Sequence, residues 1–147
     1  MDIAVRLAVP SDANGLKRLN DMFNGQDANT YEGVLAGLTR EDAETVFVAR
    51  AGDDMVGFLC AQMLKSICYS VFYVEVTELF VEEAFRGEGI GRALMHAAEI
   101  HFREMGIHDF QLFTGRDNFS AQQFYERMGY RRESDYLYRK REGWGIG

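Results

Sequence analysis

A glycine-rich segment between a long strand pattern and a strong helix pattern constrains this chain more than any other feature. Its sequence is Phe85-Arg86-Gly87-Glu88-Gly89-Ile90-Gly91-Arg92. Glycines at alternate positions let the backbone turn tightly, so that consecutive N–H groups can point at one anion where the following helix begins. The spacing departs from the dinucleotide fingerprint G-x-G-x-x-G, and the segment lacks the Gly-Lys-Ser/Thr of a P-loop. It predicts a phosphate or pyrophosphate site or, in the plainer interpretation, an ordinary strand-to-helix turn.

Hydrophobic periodicity along the chain predicts a mixed α/β fold. The predicted strands cover residues 3–7, 45–50, 55–63, 71–81 and 109–114, with a terminal pair at 130–132 and 136–139. The predicted helices cover residues 12–23, 30–38, 92–105 and 120–128, with a further turn at 41–44. This order is strand, two helices, three strands, helix, strand, helix and two strands. It predicts one mixed sheet of six to seven strands with helices on both faces.

Length, composition and charge exclude several classes of protein. With 147 residues, 47 % apolar and 27 % charged, the chain resembles an ordinary globular domain, expected to span 1–147 with a flexible tail at 143–147. Lysine and arginine number 16 against 23 acidic residues, a net charge of −7, which argues against a nucleic-acid partner and weakly favours cationic small molecules. The apolar runs are too short for a membrane span and the N-terminus lacks a signal pattern, so we expect a cytoplasmic location.

Cysteine and histidine positions give no indication of a metal site. Cys60 and Cys68 are too few for a disulfide framework and show no ligand spacing, so we expect two free thiols. His96, His101 and His108 are dispersed along the third long helix pattern and its exit. We therefore expect no bound metal.

Two motifs, in order and at matching separation, resemble the GCN5-related N-acetyltransferase (GNAT) superfamily. The first is Arg86-x-x-Gly89-x-Gly91, preceded by Leu79-Phe80-Val81 and followed by a helix. The second, at 118–130, resembles the family segment N-x-x-A-x-x-F-Y-x-x-x-G-[FY]. The resemblance is close over residues 71–138. It implies a GNAT-type α/β fold, called α+β in some schemes, with a mostly antiparallel mixed sheet, and an acyltransferase that uses acetyl-CoA as co-substrate without a metal.

The resemblance also implies which residues contact the coenzyme. Backbone amides of residues 87–92 would bind the pyrophosphate, and the strand ending at Val81 would splay from its parallel neighbour to accept the pantetheine arm. The Leu79 N–H would polarise the thioester carbonyl. Asn118 would hydrogen-bond the pantetheine, and Phe124 would pack along it. The implied binding residues are Leu79, Phe80, Val81, Arg86, Gly87, Glu88, Gly89, Ile90, Gly91, Arg92, Asn118, Ala121 and Phe124.

Catalytic roles follow for one tyrosine and two glutamates. Tyr125 matches the family tyrosine that faces the coenzyme sulfur and would protonate the leaving thiolate, unless it only packs on its helix. Glu75 and Glu78 interrupt an apolar strand, where a carboxylate is costly unless it faces a cavity or a partner. Three residues apart, they lie on opposite faces of a regular strand, but a bulge of the kind the family has here would bring both towards the cleft. Glu75, 11 residues before Arg86, is slightly preferred as general base; water or a merely solvated glutamate remains the alternative.

The expected function is acetyl transfer from acetyl-CoA to a primary amine of a small molecule, aminoglycoside- or polyamine-like, by direct attack in a ternary complex. The alternatives are a peptide or protein N-terminal or lysine acetyltransferase and a non-catalytic acyl-CoA sensor. The expected partner is the small-molecule amine, with no nucleic acid and no membrane, and a homodimer is left open. Acceptor recognition would fall to residues 23–31 and 65–70, with Tyr31, Tyr69 and Tyr73 as aromatic contacts.

Overall fold

A computed structural model describes residues 2–40 and 44–145. These residues group into two compact units, Met1–Phe113 and Thr114–Gly147. In the described residues, the sheet and three of the helices belong to the first unit and the last helix to the second. The expectation of one domain over 1–147 stays a prediction.

The bounds of the elements agree with most of the predicted ones. In the first unit the strands are β1 (Ile3–Leu7), β2 (Thr45–Ala51), β3 (Asp54–Leu64), β4 (Tyr73–Val81) and β5 (Phe110–Leu112). The helices are α1 (Ala13–Asn24), α2 (Tyr31–Thr39) and α3 (Ile90–Glu104), and in the second unit α4 (Phe119–Arg127). Short 3₁₀ turns, Pro10–Asp12 and Glu83–Phe85, follow β1 and β4.

Over residues 2–40 and 44–145 the sheet has five strands in the order β1-β2-β3-β4-β5. The first four strands are antiparallel to their neighbours, and β5 runs parallel to β4. The connection from β4 to β5 passes through α3, as a parallel crossover requires. The predicted mixed, mostly antiparallel sheet is confirmed.

Helices cover both faces of this sheet, as predicted. Leu16 and Leu19 of α1 share a buried cluster with residues of β2, β3 and β4, Phe58 and Phe80 among them. The next residue along β3, Gly57, points the other way: a Cβ there would lie 3.3 Å from Leu94 and 3.5 Å from Ile90, both on α3. We call these the α1 face and the α3 face.

A buried carboxylate connects β1 to the start of α1. Asp12 accepts two hydrogen bonds from the guanidinium of Arg6, at 2.7 and 3.0 Å, and one from the backbone N–H of Val9 at 2.8 Å. Arg50 approaches the same carboxylate to 3.6 Å. The hydrogen bonds from Arg6 hold the pKa of Asp12 below its usual range despite burial. The negative charge of Asp12 is therefore balanced by the guanidinium groups of Arg6 and Arg50.

The predicted terminal strand pair is wrong. Residues 130–132 and 136–139 lie in the described chain, and neither forms a strand. Tyr136 and Tyr138 are 86 % and 91 % exposed, so the second segment has no buried side to pack as a strand, and an isolated pair of short strands is marginal in water. The sheet therefore has fewer strands than the predicted six to seven.

Two smaller predictions involve residues outside the described ranges. The turn expected at 41–44 falls mostly on 41–43, and the expected tail includes 146–147; these five residues lie outside the described part. Within the tail, the N–H of Trp144 donates to the carbonyl of Arg141, whose guanidinium lies 5.5 Å from the indole ring. None of the described helices is long and apolar enough to cross a membrane.

Candidate functional site

The glycine-rich segment forms a turn that leads directly into α3, and its last three residues are the first residues of the helix. The helix begins at Ile90, earlier than the predicted residue 92, and Gly89 is its N-cap. Gly87 and Gly89 have φ angles of 83° and 80°, which strain any residue with a Cβ. Open space surrounds both positions, since a Cβ on either would meet nothing within 4 Å. The backbone here is thus both positive in φ and accessible.

The N–H groups of residues 87–92 are available to a ligand. The first helical turn closes at Ala93, whose N–H donates to the carbonyl of Gly89 at 3.0 Å. Within the described chain, residues 87–92 donate no backbone hydrogen bond of their own. Unsatisfied N–H groups at the positive end of a helix dipole favour an anion. The segment fits the pyrophosphate role implied by its sequence.

Arg86 ties this segment to the end of β4. Its Nε donates a hydrogen bond of 2.8 Å to the carbonyl of Val81, and its guanidinium lies 5.6 Å from the ring centre of Phe80. Both contacts hold the chain where it leaves the sheet. They give Arg86 a structural task, and its contact with a coenzyme stays a prediction.

Among the residues that the structure describes, no strand lies beside the second half of β4 on the β5 side. The β4–β5 ladder contains Val74, Glu75 and Val76 and ends there, whereas β4 continues to Val81 against β3. Glu82 donates to Val56 at 2.8 Å, so the alternation of an antiparallel ladder turns the N–H and C=O of Leu79 and Val81 away from β3. These main-chain groups line an open strand edge, and one of them, the Val81 carbonyl, is occupied by Arg86.

A bulge in β4 puts the two candidate glutamates on one face. Glu78 lies opposite Cys60, but Ala61 lies opposite Val76, which leaves Thr77 as the extra residue. Its hydroxyl donates to the carbonyl of Cys60 at 3.3 Å. Because Cys60 and Gln62 share the α1 face, their partners Glu78 and Glu75 do too. The sequence predicted that Glu75 and Glu78 share a face only if β4 contains a bulge, and the bulge at Thr77 meets that condition.

Carboxylates and amides alternate at the level of Glu75, on three strands and the residue before a fourth. Gln62 and Gln111 are its partners on β3 and β5, and Gln111 Nε2 donates to Glu75 Oε1 at 3.1 Å. Glu44 is the residue just before β2, and because Thr45 pairs with Ala61 it follows on the side of Gln62. We call Glu44, Gln62, Glu75 and Gln111 the polar row. Glu78 lies next to this row towards the open edge and is hydrogen-bonded by Asn24 of α1.

The electrostatic surroundings of these carboxylates differ from those of Asp12. Burial raises the pKa of Glu78, and the hydrogen bond from Asn24 opposes that rise. Burial of its carboxyl and the charge of Glu78 raise the pKa of Glu44, although the residue as a whole is exposed. Cys60 lies between them, and burial together with both carboxylates raises the pKa of its thiol. In the described chain no cation pairs with Glu44, Glu75 or Glu78.

Sequence reasoning missed the amides and Glu44. Gln62 and Gln111 each interrupt a predicted apolar strand. The same pattern pointed to the two glutamates, so it could have identified these amides as well. Glu44 fell in a predicted turn, and no local pattern pointed to it. Its place beside the sheet depends on a strand register that sequence spacing alone does not provide.

The end of α1 brings part of the expected acceptor region to the same face. Phe23 stacks on Phe80 with ring centres 4.9 Å apart, and the next residue, Asn24, reaches Glu78. Phe23 remains 41 % exposed, so an aromatic surface borders the carboxylate. Tyr69, by contrast, is 70 % exposed in the loop after β3. The structure thus associates the first of the two predicted acceptor segments with Glu78.

The second unit carries the residues of the second motif on α4. Asn118 is the N-cap, and its side-chain oxygen accepts from the N–H of Ala121 at 3.2 Å. Phe124 and Tyr125 meet edge to face at 5.1 Å, and Tyr125 lies 6.0 Å from the ring of Tyr130. Burial raises the pKa of the Tyr125 phenol, so it stays protonated at neutral pH.

Cysteines and histidines are placed outside any metal-binding arrangement in the described ranges. Cys60 is half-buried, Cys68 exposed, and both are free thiols. His101 packs edge-on against Phe47 at 5.6 Å. Over residues 2–40 and 44–145 no group of three or more His, Cys, Asp or Glu side chains is placed to hold a metal ion.

Two solved structures share this fold. An aminoglycoside N-acetyltransferase in complex with CoA superimposes with a TM-score of 0.80 at 21 % identity, covering 95 % of each chain. A ribosomal-protein-alanine N-acetyltransferase from Brucella melitensis biovar Abortus 2308 superimposes with a TM-score of 0.78 at 19 % identity, covering 95 % of this chain and 100 % of the other. At such identities the likeness establishes the fold.

Sequence comparison establishes the family. An uncharacterized N-acetyltransferase from Archaeoglobus fulgidus is 38 % identical over 96 residues, which are 65 % of either chain, so the match spans just under two thirds of that relative. Residues 16–130 match the acetyltransferase (GNAT) family as a whole. The resemblance inferred from the two motifs is thereby confirmed, and the chain belongs to the acetyltransferase (GNAT) family.

Proposed function

We propose that the protein transfers the acetyl group of acetyl-CoA to a primary amine of a small molecule by direct attack in a ternary complex. The observation that carries this proposal is the open half of β4. The outward-facing main-chain groups of Leu79, the carboxylate of Glu78, which no cation of the described residues pairs with, and the helix N-terminus of α3, which suits an anion, all belong to one unit. Thioester polarisation, proton acceptance and coenzyme binding each have a candidate group.

The coenzyme would bind through the backbone. The N–H groups of residues 87–92 would hold its pyrophosphate, and the outward-facing groups of Leu79 together with the N–H of Val81 would pair with the pantetheine amides. In this arrangement the Leu79 N–H donates to the thioester carbonyl oxygen, where negative charge develops during attack. The bound coenzyme supplies the activated acetyl group and the thiolate leaving group.

Glu78 is our proposed proton acceptor. The acceptor nitrogen must lose its proton to attack, and Glu78 precedes Leu79 directly, at the open edge, with a raised pKa that makes it a stronger base. Glu75, slightly preferred on sequence grounds, lies where β4 is still paired with β5 and is hydrogen-bonded by Gln111. It remains the alternative acceptor.

Tyr125 is the proposed general acid. Its place in the second motif matches the family tyrosine that faces the sulfur, and its protonated phenol can donate to the departing thiolate. The ammonium group of the acceptor first releases one proton to water to give the neutral amine. On attack a second proton leaves the nitrogen for Glu78 and one reaches sulfur from Tyr125, so the amide and free coenzyme A form; protonated Glu78 and ionised Tyr125 then exchange a proton through water, and the net release is one proton per turnover. Asn118 and Phe124 of the same motif would hold the pantetheine.

The proposed acceptor is a cationic small molecule, aminoglycoside- or polyamine-like. The uncompensated carboxylates and the exposed ring of Phe23 suit an ammonium group. An aminoglycoside N-acetyltransferase has this fold, but so does an enzyme named for ribosomal-protein alanine, which keeps a protein N-terminus as the second candidate acceptor.

The test is an acetyl-transfer assay. The protein is incubated with acetyl-CoA and a panel of aminoglycosides, polyamines and peptides with free N-termini, and free thiol release is followed. Turnover with the small amines above the peptides supports the proposal, and the reverse order favours the protein acceptor. Coenzyme binding without turnover across the panel would instead identify an acyl-CoA sensor. A cytoplasmic location and a homodimer stay predictions.

A further inference from the structure

The connection between β3 and β4 has no role so far. The last pair of the β3–β4 ladder joins Leu64 to Tyr73, so residues 65–72 extend beyond the sheet, and we call them the hairpin end. A turn within the hairpin end is closed by the N–H of Tyr69, which donates to the carbonyl of Ser66 at 3.1 Å. The sequence predicted acceptor recognition for this segment, but the contacts that border Glu78 come from the end of α1 instead.

Large apolar side chains of the hairpin end are exposed. Ile67 is 98 % exposed and Val71 69 %, and Tyr69, Phe72 and the neighbouring Met63 are exposed as well. With about 200 Å² for a large side chain, these fractions amount to roughly 600 Å² of apolar surface at one end of one hairpin. This area is at the upper end for a monomeric protein, and patches of this size mark interaction sites.

The charges in and around the hairpin end leave this patch without an acid. Its one charged residue is Lys65, whose Nζ donates to the carbonyl of Tyr69 at 3.2 Å and lies 5.8 Å from the ring centre of Phe72. The ammonium group is thus held against the loop itself. No acidic residue occurs between Asp54 and Glu75, although the chain as a whole carries a net charge of −7. Two copies of such a chain repel each other, and the repulsion is weakest where acids are absent.

We propose that the hairpin end is a self-association surface, which docks on the hairpin end of a second copy of this chain in a symmetric dimer. In a two-fold dimer the same patch meets itself, so apolar surface covers apolar surface. Roughly 600 Å² from each copy gives roughly 1,200 Å² in total, the lower bound for a specific, stable interface. We therefore expect a dimer that dissociates at about micromolar concentration. This inference goes beyond the proposed acetyl transfer and does not depend on it.

The first test is sedimentation velocity over a dilution series that brackets micromolar concentrations. Ile67→Glu would bury a carboxylate in each half of the interface, so the dissociation constant of the dimer should rise by about 100-fold or more. Because Ile67 is almost fully exposed, urea unfolding of the dilute variant should match the wild type. Ile100→Glu is the matched control, since Ile100 is a half-exposed isoleucine on α3, and it should leave the dissociation constant unchanged.

The second test uses a cysteine that the chain already has. Cys68 is an exposed free thiol within the hairpin end. In the proposed dimer the Cys68 residues of both copies belong to one interface, so a short bis-maleimide should join the two chains. Cys68→Ser should abolish this cross-link, and Ile67→Glu should suppress it.

The outcomes are distinct. A dimer that dissociates on dilution, is lost in Ile67→Glu and is kept in Ile100→Glu supports the inference. A monomer at every concentration overturns it, and so does a dimer that survives Ile67→Glu or is still cross-linked in Cys68→Ser. A monomer in which Ile67→Glu raises the KM of the acceptor would return the hairpin end to acceptor recognition. The proposed acetyl transfer stands or fails in its own assay, independently of these results.

Discussion

The N-terminus of α3 and the polar face beside it are built in opposite ways. At the helix start, consecutive backbone N–H groups form the candidate site, and the glycines that permit it are adjacent in sequence. On the α1 face, the polar side chains come from several elements, β3, β4 and β5 among them, and only register and a bulge bring them together. A site of the first kind can be predicted from a local sequence motif, whereas a site of the second kind depends on how the strands of the sheet pair.

The largest effect is expected from the helix start. Gly89→Glu would place a side chain at a φ of 80° and a negative charge in the anion site. Coenzyme A should then no longer raise the melting temperature, because the stabilisation by binding is lost. Gly106→Glu is the matched control, since Gly106 follows the other end of α3 with a φ of 83°. An unchanged thermal response in Gly89→Glu would contradict the coenzyme assignment.

Loss of the Tyr125 hydroxyl should reduce turnover without disturbing structure. Tyr125→Phe keeps the contacts with Phe124 and Tyr130, so stability and coenzyme binding should be nearly intact. Turnover should fall by about 10²- to 10⁴-fold if protonation of sulfur limits the rate. Tyr136→Phe, at an exposed tyrosine, serves as control. Full activity of Tyr125→Phe, with chemistry shown to be rate-limiting, would return this tyrosine to a packing role.

Glutamine variants distinguish the two glutamates. Glu78→Gln should lower kcat by about 10²-fold, the lower end of the range for general base catalysis, because water can replace the carboxylate in part. It should also flatten the acid limb of the pH profile, and Glu75→Gln should change both much less. The reverse ranking would restore the preference for Glu75 drawn from sequence. If both variants keep the wild-type profile, the base is water or another residue.

Glu78→Gln should also raise the free energy of unfolding at neutral pH. Since the pKa of Glu78 is raised in the folded state, folding takes up a proton between its usual and its raised value, and stability falls as pH rises through that window. Glu78→Gln removes this dependence, so its gain in urea resistance should be present at pH 7 and disappear towards pH 3. Asp12→Asn is the opposite case: the lowered pKa of Asp12 contributes stability above the usual range that is lost as pH falls through the folded-state value. A loss of stability in Glu78→Gln at pH 7 would mean that the hydrogen bond from Asn24 outweighs burial.

The smallest effect concerns the bulge itself. Thr77→Val removes the hydroxyl that donates to the Cys60 carbonyl at 3.3 Å and keeps the β-branched shape. Because this bond is long and Thr77 is exposed, the free energy of unfolding should fall by about 0.5 kcal/mol, the low end for a single hydrogen bond. Urea unfolding measures the loss. A large loss of activity with unchanged stability would show that the hydroxyl itself takes part in the reaction.

Local motifs predicted the family and most of the fold, and non-local geometry limited the rest. The order of the elements from β1 to α4 and both helix layers follow from periodicity, glycines and the two motifs, whereas the coenzyme site at the start of α3 stays a prediction. The terminal strands failed because alternation in residues 130–139 was read as strand although nothing buries Tyr136 or Tyr138. The place of Glu44 beside the sheet was missed for the opposite reason: it depends on the register of β2 and β3, which no local pattern at Glu44 indicates.

The extra residue at Thr77 changes how β4 should be altered experimentally. Before the bulge, odd-numbered positions such as Glu75 point to the α1 face, and after it even-numbered positions such as Glu78 and Phe80 do. A mutational scan at every second residue of this strand would therefore switch from one helix layer to the other midway. Libraries aimed at acceptor selectivity should keep the length of β4 fixed and vary residues 73, 75, 78 and 80 as one set. Deletion of one residue would turn the side chains of one half of the strand to the opposite face of the sheet.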